Sequence, residues 1–462
     1  MIKKILIFII FLSVKAFAGW TDPVVIDTYE HLAYPQIQAR GDSIYVIYQN
    51  KFVRSLDGGQ SWQDEFILPE CEFIQDSDFR LRGDTLAVFY DTSQYFTNHP
   101  AFYFSTNFGE TWEGPRYCGQ YAAAYQFFSC NYQGDTVSVC SIENTFDDYF
   151  KVLMKNSYDF GMNWAEPESI WYYDHAGFPK LYYYYGKPYI LSELDQGGIL
   201  SSVKLLYDVD GELNWHEIDL FSGSGITFEH NMGASPNGQM AVVYEDGNSW
   251  VWLWSNVLFR ASSDSGVTWG PIIDLSETRS NHDPRVDVSG DTAAVIWEGQ
   301  LDTTSFDRQL FFRKSFDLGQ NWEPFEILTA EDESEINPDI TIADGKIHIV
   351  YVHTGHQICY RRWEPETAVE EIEKPENVSL SSVYPNPFNS STTISYNLQS
   401  ADFIKIDIFD IQGRCIDKPV RGFESAGYHQ VVWEPGEISS GIYFIRLSTH
   451  DISKTEKIIL LK

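Results

Sequence analysis

Three cationic side chains in short, strand-like segments are candidate ligand-binding residues. Arg80 lies in "DFRLR", Arg285 in "DPRVDV", and Lys180 in "FPKLYY". A guanidinium can hold a carboxylate or another anionic group through two hydrogen bonds, whereas an ammonium supplies only a point charge. We therefore expect Arg80 and Arg285 to serve an anionic ligand, with Lys180 as a weaker substitute for a third arginine.

Histidine recurs immediately before segments of the same kind and is paired each time with a carboxylate. The histidines are His31, His175, His230 and His282, and their neighbours are Glu30, Asp174, Glu229 and Asp283. If these pairs lie together around one opening, they can bind a sugar or a cation; alternatively, they simply cap the starts of strands. No two histidines share a local metal-ligand spacing, so we predict no metal site and no cofactor.

A repeat of 50 to 54 residues surrounds these candidates. Its most regular part is an octet with Ser, Asp, Gly and Trp at fixed offsets. Copies of the octet are "SLDGGQSW" (Ser55), "STNFGETW" (Ser105), "SYDFGMNW" (Ser157), "SSDSGVTW" (Ser262), "SFDLGQNW" (Ser315) and the degenerate "DVDGELNW" (Asp208).

The octet residues predict a tight turn between two strands. Glycine permits the positive φ of a reversal, the Asp or Asn accepts backbone N–H bonds, and the Trp packs between neighbouring repeats. Catalysis needs one copy rather than six, so we assign the octets a structural role. The residues assigned are Ser55, Asp57, Gly59, Trp62, Ser105, Asn107, Gly109, Trp112, Ser157, Asp159, Gly161, Trp164, Ser262, Asp264, Gly266, Trp269, Ser315, Asp317, Gly319 and Trp322.

Each repeat also contains a turn followed by an apolar alternation, such as "GDTLAVFY" or "GDTAAVIW". Four antiparallel strands in about 50 residues form one blade of a β-propeller. The chain contains seven such turns but only six octets, and the last repeat lacks its fourth strand. Trp20 and Pro23 have the spacing of Trp112 and Pro115, so the N-terminal segment supplies that strand. We predict an all-β chain with a seven-bladed propeller, with six blades as the alternative.

The octets resemble the Asp box, or bacterial neuraminidase repeat, S-x-D-x-G-x-T-W. This resemblance implies a sialidase-like β-propeller. Members of that family include sialidases, other glycosidases, lectin-like modules and non-enzymatic propellers, so the box does not fix the chemistry. Sialidases of this family use three arginines to hold the substrate carboxylate, a Tyr with a Glu partner as the nucleophile, and an Asp as the acid/base. This chain has no R-I-P motif and no convincing third arginine, so its catalytic residues stay unknown.

The beginning of the chain and its composition indicate the compartment. Lys3 and Lys4 precede an apolar run that ends at "AFA", which is typical of a secretory signal peptide cut after Ala18. The net charge of −34 disfavours nucleic acid and anionic lipid as partners, and we predict no membrane span. Export permits disulfides, for which Cys130 with Cys140, or Cys71 with Cys118, are candidate pairs.

The tail has its own pattern. Residues 364–382 read as an acidic linker, and residues 383–462 alternate as a small Ig-like β-sandwich. The stretches "YPNPFN" (Tyr384), "DIQGR" (Asp410), "AGYH" (Ala426) and "SGIYF" (Ser440) resemble the type A C-terminal sorting domain of type IX secretion. That resemblance implies export through the type IX machinery, followed by release or attachment to the cell surface.

The sequence thus predicts a signal peptide (1–18), a propeller (19–363), a linker and a sorting domain. We expect a monomeric propeller that binds a glycan or another extracellular ligand. The alternatives are a sialidase-like glycoside hydrolase and a protein-interaction propeller in surface assembly.

Overall fold

The structure is a computed structural model in which every regular element of the described residues is a β-strand. The described residues are 19–28, 33–68, 78–91, 100–118, 125–144, 150–173, 175–184, 186–195, 202–208, 214–222, 229–247, 255–276, 279–300, 307–329, 334–353, 356–365, 378–398, 402–449 and 453–462. None of them forms a helix that is long and apolar enough to cross a membrane. The chain divides into two compact units, residues 1–367 and 368–462.

The first unit contains seven antiparallel sheets within its described residues, and each sheet is one blade. Blade 1 comprises β3 (Gln36–Arg40), β4 (Ser43–Tyr48), β5 (Lys51–Ser55) and β6 (Gln63–Ile67); blade 2 comprises β7 (Asp78–Arg82), β8 (Thr85–Asp91), β9 (Pro100–Ser105) and β10 (Glu113–Tyr117); blade 3 comprises β11 (Tyr125–Gln133), β12 (Thr136–Asn144), β13 (Phe150–Ser157) and β14 (Glu168–Tyr173); blade 4 comprises β15 (His175–Tyr184), β16 (Lys187–Asp195), β17 (Ser202–Asp208) and β18 (Trp215–Ser222).

The remaining three blades complete the ring. Blade 5 comprises β19 (His230–Ala234), β20 (Met240–Gly247), β21 (Ser255–Ser262) and β22 (Ile273–Asp274); blade 6 comprises β23 (Arg279–Ser289), β24 (Thr292–Gln300), β25 (Gln309–Ser315) and β26 (Glu326–Ile327); blade 7 comprises β27 (Glu335–Ala343), β28 (Lys346–His353) and β29 (Gln357–Glu364), joined by β1 (Gly19–Trp20) and β2 (Val24–Thr28).

The N-terminal segment closes the ring, as the spacing of Trp20 and Pro23 predicts. Trp20 pairs with Trp363, and Val24 pairs with Tyr360, so β1 and β2 supply the outer strand of blade 7. This pairing confirms seven blades and rejects the six-bladed alternative. Because the first and last strands share one sheet, the closure joins both ends of the propeller.

The seven inner strands are joined by a ring of hydrogen bonds. At each blade junction, a side chain of one inner strand accepts a backbone N–H from the next. The bonds are Phe79 N to Gln36 Oε1 (2.8 Å), Cys130 N to Asp78 Oδ2 (2.9 Å), Leu181 N to Ser129 Oγ (2.9 Å), Met232 N to Tyr182 Oη (3.1 Å), Val286 N to Asn231 Oδ1 (3.0 Å), Ile342 N to Asp287 Oδ2 (2.7 Å) and Ile37 N to Asp339 Oδ2 (2.8 Å). We call these bonds the inter-blade ring.

The octets form turns on the outside of the blades with one shared pattern of bonds. In the octet at Ser262, the Ser hydroxyl donates to Asp264 Oδ1 and accepts from Gly266 N, at 2.8 and 2.9 Å. Asp264 also accepts from the backbone and the hydroxyl of Thr268. The same Ser–Asp and Ser–Gly bonds occur at Ser55, Ser157 and Ser315, and at Ser105 with Asn107. In the degenerate copy, residues 209–213 lie outside the described residues.

Octet Trp and Gly residues pack one blade against the preceding one. The ring of Trp322 meets Phe259 of blade 5 edge-on at 4.8 Å, and Trp62 meets Tyr360 of blade 7 at 5.2 Å. Gly319 has φ +85°, and a Cβ there would lie 2.4 Å from Phe259 Cε1. Only glycine allows both this backbone and this close approach.

The cysteine pairing that the hairpin suggested is wrong. Cys130 pairs with Val139, and Cys140 pairs with Ser129, so the two thiols point to opposite faces of blade 3. Cys130 packs with Cys118 between blades 2 and 3, while Cys140 packs with Leu181 towards blade 4. Cys71, the proposed partner of Cys118, lies outside the described residues.

The second unit is a small β-sandwich of two sheets. One sheet has the order β30 (Val378–Tyr384), β31 (Thr392–Leu398), β34 (Gly427–Trp433); the other has the order β33 (Cys415–Glu424), β32 (Asp402–Phe409), β35 (Gly441–Ser448), β36 (Ser453–Leu460). Both sheets contribute to one core, in which Ile394, Ile406 and Trp433 are buried. Alternation of more buried with less buried residues along β32 and β34 produces this arrangement.

Candidate functional site

One face of the propeller collects the polar candidates. Each inner strand starts at this face, and each second strand ends there, because the two strands run antiparallel through a tight turn on the opposite face. Arg80, Lys180 and Arg285 lie on the inner strands of blades 2, 4 and 6. We call this face the mouth. The mouth cluster consists of Asp78, Arg80, Lys180, Glu229, Asp283 and Arg285.

Arg80 is held by its own strand and faces blade 4 across blade 3. Its Nη2 donates to Asp78 Oδ1 at 2.7 Å, and its Nη1 donates to the carbonyl of Phe79 at 3.0 Å. Its guanidinium carbon lies 5.7 Å from the ring centroid of Tyr182 on blade 4. The side chain therefore projects into the central channel, since blades 2 and 4 are not sheet neighbours.

Lys180 and Arg285 meet at Glu229, which precedes the inner strand of blade 5. Glu229 Oε2 lies 3.7 Å from Lys180 Nζ and 3.8 Å from Arg285 Nη1. Arg285 Nη2 also lies 3.3 Å from Asp283 Oδ1. The sequence candidates from blades 2, 4 and 6 are thus brought to one mouth, and a carboxylate of blade 5 links two of them.

Carboxylates fix the charge of both arginines. Burial disfavours the charged form of Arg285, but the carboxylates of Asp283, Glu229 and Asp339 outweigh it and raise its pKa. Arg80 behaves alike: burial opposes its charge, and Asp78 leads the groups that raise its pKa above the usual value. Both side chains stay cationic while remaining 19–20 % exposed, which is enough for contact with a ligand.

Strain marks the backbone at Asp283. Asp283 has φ +52°, and the register of β23 shifts between His282 and Arg285. A residue with a Cβ rarely adopts this conformation unless its surroundings impose it. The bulge turns the Asp283 side chain towards Arg285 rather than along the alternating pattern of the strand.

Three glutamates that the sequence candidates omit lie behind the mouth. Glu193, Glu245 and Glu298 lie at the seventh, sixth and seventh positions of the second strand in blades 4, 5 and 6, and they are 7 %, 3 % and 2 % exposed. We call them the strand-end glutamates. Their signal was present in the sequence as a Glu closing "KPYILSE", "QMAVVYE" and "TAAVIWE". Burial at this point of the ring could not be predicted from one strand alone.

The pKa of Glu298 is raised above its usual value. Burial and then the charge of Asp283 raise its pKa to about 8, although Arg308 Nη1, at 2.9 Å from Oε1, opposes that shift. Burial therefore favours the protonated form of this carboxyl, which can donate a hydrogen bond. Glu245 instead contacts His282, whose Nδ1 lies 2.8 Å from Glu245 Oε1.

The two histidine candidates whose side chains the structure describes, His230 and His282, have different surroundings. His31 lies outside the described residues, and so does the side chain of His175, which starts β15. His230 is fully buried, with Nε2 3.3 Å from the carbonyl of Leu191, so this conformation keeps it from solvent. His282 is 19 % exposed beside Glu245 at the mouth.

Comparison with known families assigns the second unit. Residues 382–461 match the family described as "Secretion system C-terminal sorting domain". The C-terminal unit carries a type IX sorting domain. This finding confirms the resemblance seen in "YPNPFN" and "SGIYF", and it supports secretion or localisation at the cell surface. A search of curated proteins finds no match.

Solved structures similar to the chain include three carbohydrate-active enzymes. An ulvan lyase of polysaccharide lyase family PL25 is 11 % identical with a TM-score of 0.49, covering 75 % of this chain and 94 % of that one. The Hadza microbial sialidase Hz136 is 14 % identical with a TM-score of 0.43, covering 70 % and 73 %. An α-L-arabinanase of Penicillium chrysogenum is 14 % identical with a TM-score of 0.42, covering 61 % and 90 %.

Proposed function

We propose that this chain is an exported β-propeller that binds an extracellular glycan at its mouth. The convergence of Arg80, Lys180 and Arg285 with three carboxylates carries the proposal. The mouth cluster draws on four blades, and its side chains are 16–35 % exposed. It therefore offers donors and acceptors that are fixed by the ring and still accessible.

A glycan suits this arrangement because each sugar hydroxyl both donates and accepts a hydrogen bond. Carboxylates accept from hydroxyls, while Arg and Lys can only donate to them. Alternating cations and carboxylates at the mouth hence match the alternating donors and acceptors of a sugar edge. The sorting domain supports secretion or localisation at the cell surface, where extracellular glycans occur.

Binding without hydrolysis is favoured over sialidase-like catalysis. A sialidase-like site uses three arginines for the substrate carboxylate, whereas here each arginine faces a carboxylate two residues before it in its own strand. Burial raises the pKa of Tyr182, whose ring lies beside Arg80, to about 12. A phenol so hard to ionise is poorly suited to act as a nucleophile.

The test uses the mature full chain, residues 19–462. It is applied to a glycan array, and in parallel it is incubated with a fluorogenic sialoside. We expect glycan binding without release of the fluorophore, and loss of binding in Lys180→Ala. Lys346→Ala is the matched control, because Lys346 is 30 % exposed against 28 % for Lys180 and belongs to the opposite face. Sialoside turnover would establish the hydrolase instead, and a blank array would shift the function to protein partners.

A further inference from the structure

The residue that follows the outer strand of a blade is buried at the junction with the next blade. In blade 2 this residue is Cys118, whose backbone N–H donates to the carbonyl of Pro100 at 2.8 Å. In three other blades a leucine holds this position, and its N–H makes the equivalent bond near the start of the third strand at 2.8–2.9 Å: Leu68, Leu275 and Leu328. The repeat therefore places at this point a side chain that packs between blades.

A second repeated position, on the inner strand, faces the first across the junction. In blade 3 it is Cys130, whose N–H belongs to the inter-blade ring, and the equivalent donors of blades 2 and 6 are Phe79 and Val286. The residues at the two positions lie together in one buried cluster at three junctions: Leu68 with Phe79, Leu275 with Val286, and Cys118 with Cys130. The fold thus brings these positions together, and between blades 2 and 3 both are cysteines.

The two sulfurs contact each other. Both residues are fully buried and are thiols in the structure. Burial raises the pKa of Cys130 well above its usual value, and the next cause is a hydrogen bond between its thiol and that of Cys118. Two cysteines are also smaller than a leucine and a phenylalanine, so this pair gains less from burial than Leu68 with Phe79 does. A covalent bond between the sulfurs would offset that loss.

The same junction supports Arg80 at the mouth. Asp78 Oδ2 accepts the N–H of Cys130 at 2.9 Å and the hydroxyl of Ser129 at 2.7 Å, while its Oδ1 accepts from Arg80 at 2.7 Å. A shift of β11 relative to blade 2 would move the carboxylate that orients Arg80. A link between Cys118 and Cys130 would hold the two blades in this register.

We infer that Cys118 and Cys130 form a disulfide that joins blades 2 and 3 in the exported protein. The sorting domain supports secretion, and disulfides persist in oxidising compartments. The oxidant is a protein disulfide of such a compartment. One cysteine thiolate attacks it and releases a thiolate, and the other cysteine then attacks the mixed disulfide and releases the second thiolate. The two cysteines lose two hydrogens, and the oxidant is reduced to a dithiol. Because both thiols are buried in the folded propeller, the exchange takes place before blades 2 and 3 pack together.

The bond is tested on the mature chain, residues 19–462, secreted into the periplasm of a bacterial host. The protein is unfolded in the presence of an alkylating reagent, digested with chymotrypsin without reductant, and analysed by mass spectrometry. Cleavage after Tyr and Phe separates residues 118–121 ("CGQY"), residues 129–132 ("SCNY") and residues 133–146, which contain Cys140. We expect the first two peptides to be joined, with the loss of two hydrogens. Cys140 is the internal control: it is equally buried but packs towards blade 4, so it should be alkylated.

A second measurement compares the secreted chain with the same chain made in a reducing cytoplasm. We expect the cytoplasmic form to melt about 5 °C lower, because its unfolded state lacks the cross-link. This difference should persist in Cys140→Ala and vanish in Cys130→Ala, and comparing two preparations of one variant removes the effect of the lost side chain. Alkylated Cys118 and Cys130 in the secreted protein, or a bond from either to Cys71 or Cys140, would overturn the inference. A difference that persists in Cys130→Ala would also overturn it.

Discussion

The carboxylate of Asp339 accepts the backbone N–H of Ile37 at 2.8 Å, although 302 positions separate them in the chain. This bond joins blade 7 to blade 1 and is the closing member of the inter-blade ring. It acts beside the strand pairing of Trp20 with Trp363, so the propeller is closed both at its centre and at its rim.

Removing the acceptor at Asp339 should weaken the closure. We expect Asp339→Ala to lower the free energy of unfolding by about 1–3 kcal/mol, because the N–H of Ile37 is left without its partner. Asp339→Asn keeps an acceptor oxygen and should lose less. Urea unfolding of the two variants measures the difference, and equal stability of both would show that the bond contributes nothing.

The octet glycine should tolerate no side chain. We expect Gly319→Ala to be strongly destabilised, by about 3 kcal/mol or more, because the new Cβ meets Phe259 at 2.4 Å in a left-handed backbone. Gly290→Ala is the control: it also has positive φ, at +58°, but nothing lies within 4 Å of its Cβ, so it should lose only about 1 kcal/mol. Thermal melts decide, and similar losses in both would refute the contact between blades.

The octet carboxylates should make the stability of the folded chain depend on pH in the acidic range. Hydrogen bonds from Ser61 and then Ser55 lower the pKa of Asp57 to about 2 from its ordinary 3.8, and Asn163 and Ser157 do the same for Asp159. The unfolded chain binds these protons first, so the contribution to stability is present above about pH 4 and is lost towards pH 2. Between pH 5 and 2, the melting temperature should decline less steeply in Asp57→Asn than in the wild type. An identical decline in both would contradict this assignment.

Glu298 should have the opposite effect. Burial raises its pKa from the ordinary 4.5 to about 8, so the folded chain binds the extra proton, and stability falls as pH rises between these values. We expect Glu298→Gln to melt higher than the wild type at pH 8–9 and to converge with it near pH 5, because the amide never ionises. A constant difference at all pH values would mean that Glu298 is already ionised when folded.

Local chemistry explains what the sequence could predict. Each octet needs only its own eight residues to make a turn, and the spacing of Trp20 and Pro23 identified the closing strand because strand pairing repeats the same pattern. The inter-blade ring depends instead on the register of strands 43 to 302 residues apart. The contact of Arg285 with Asp283 depends on the bulge between His282 and Arg285. The predicted pairing of Cys130 with Cys140 was wrong because adjacent register positions place their side chains on opposite faces of the sheet.

The most direct test of the mouth as a ligand site is the affinity of the full chain for its strongest array glycan. Calorimetry would compare the wild type, the double variant Lys180→Ala/Arg285→Ala and the control Lys346→Ala. We expect the double variant to bind about 100-fold more weakly, since two charged donors are lost, while the control binds as the wild type does. Unchanged affinity in a double variant that melts normally would contradict the account and place the glycan elsewhere.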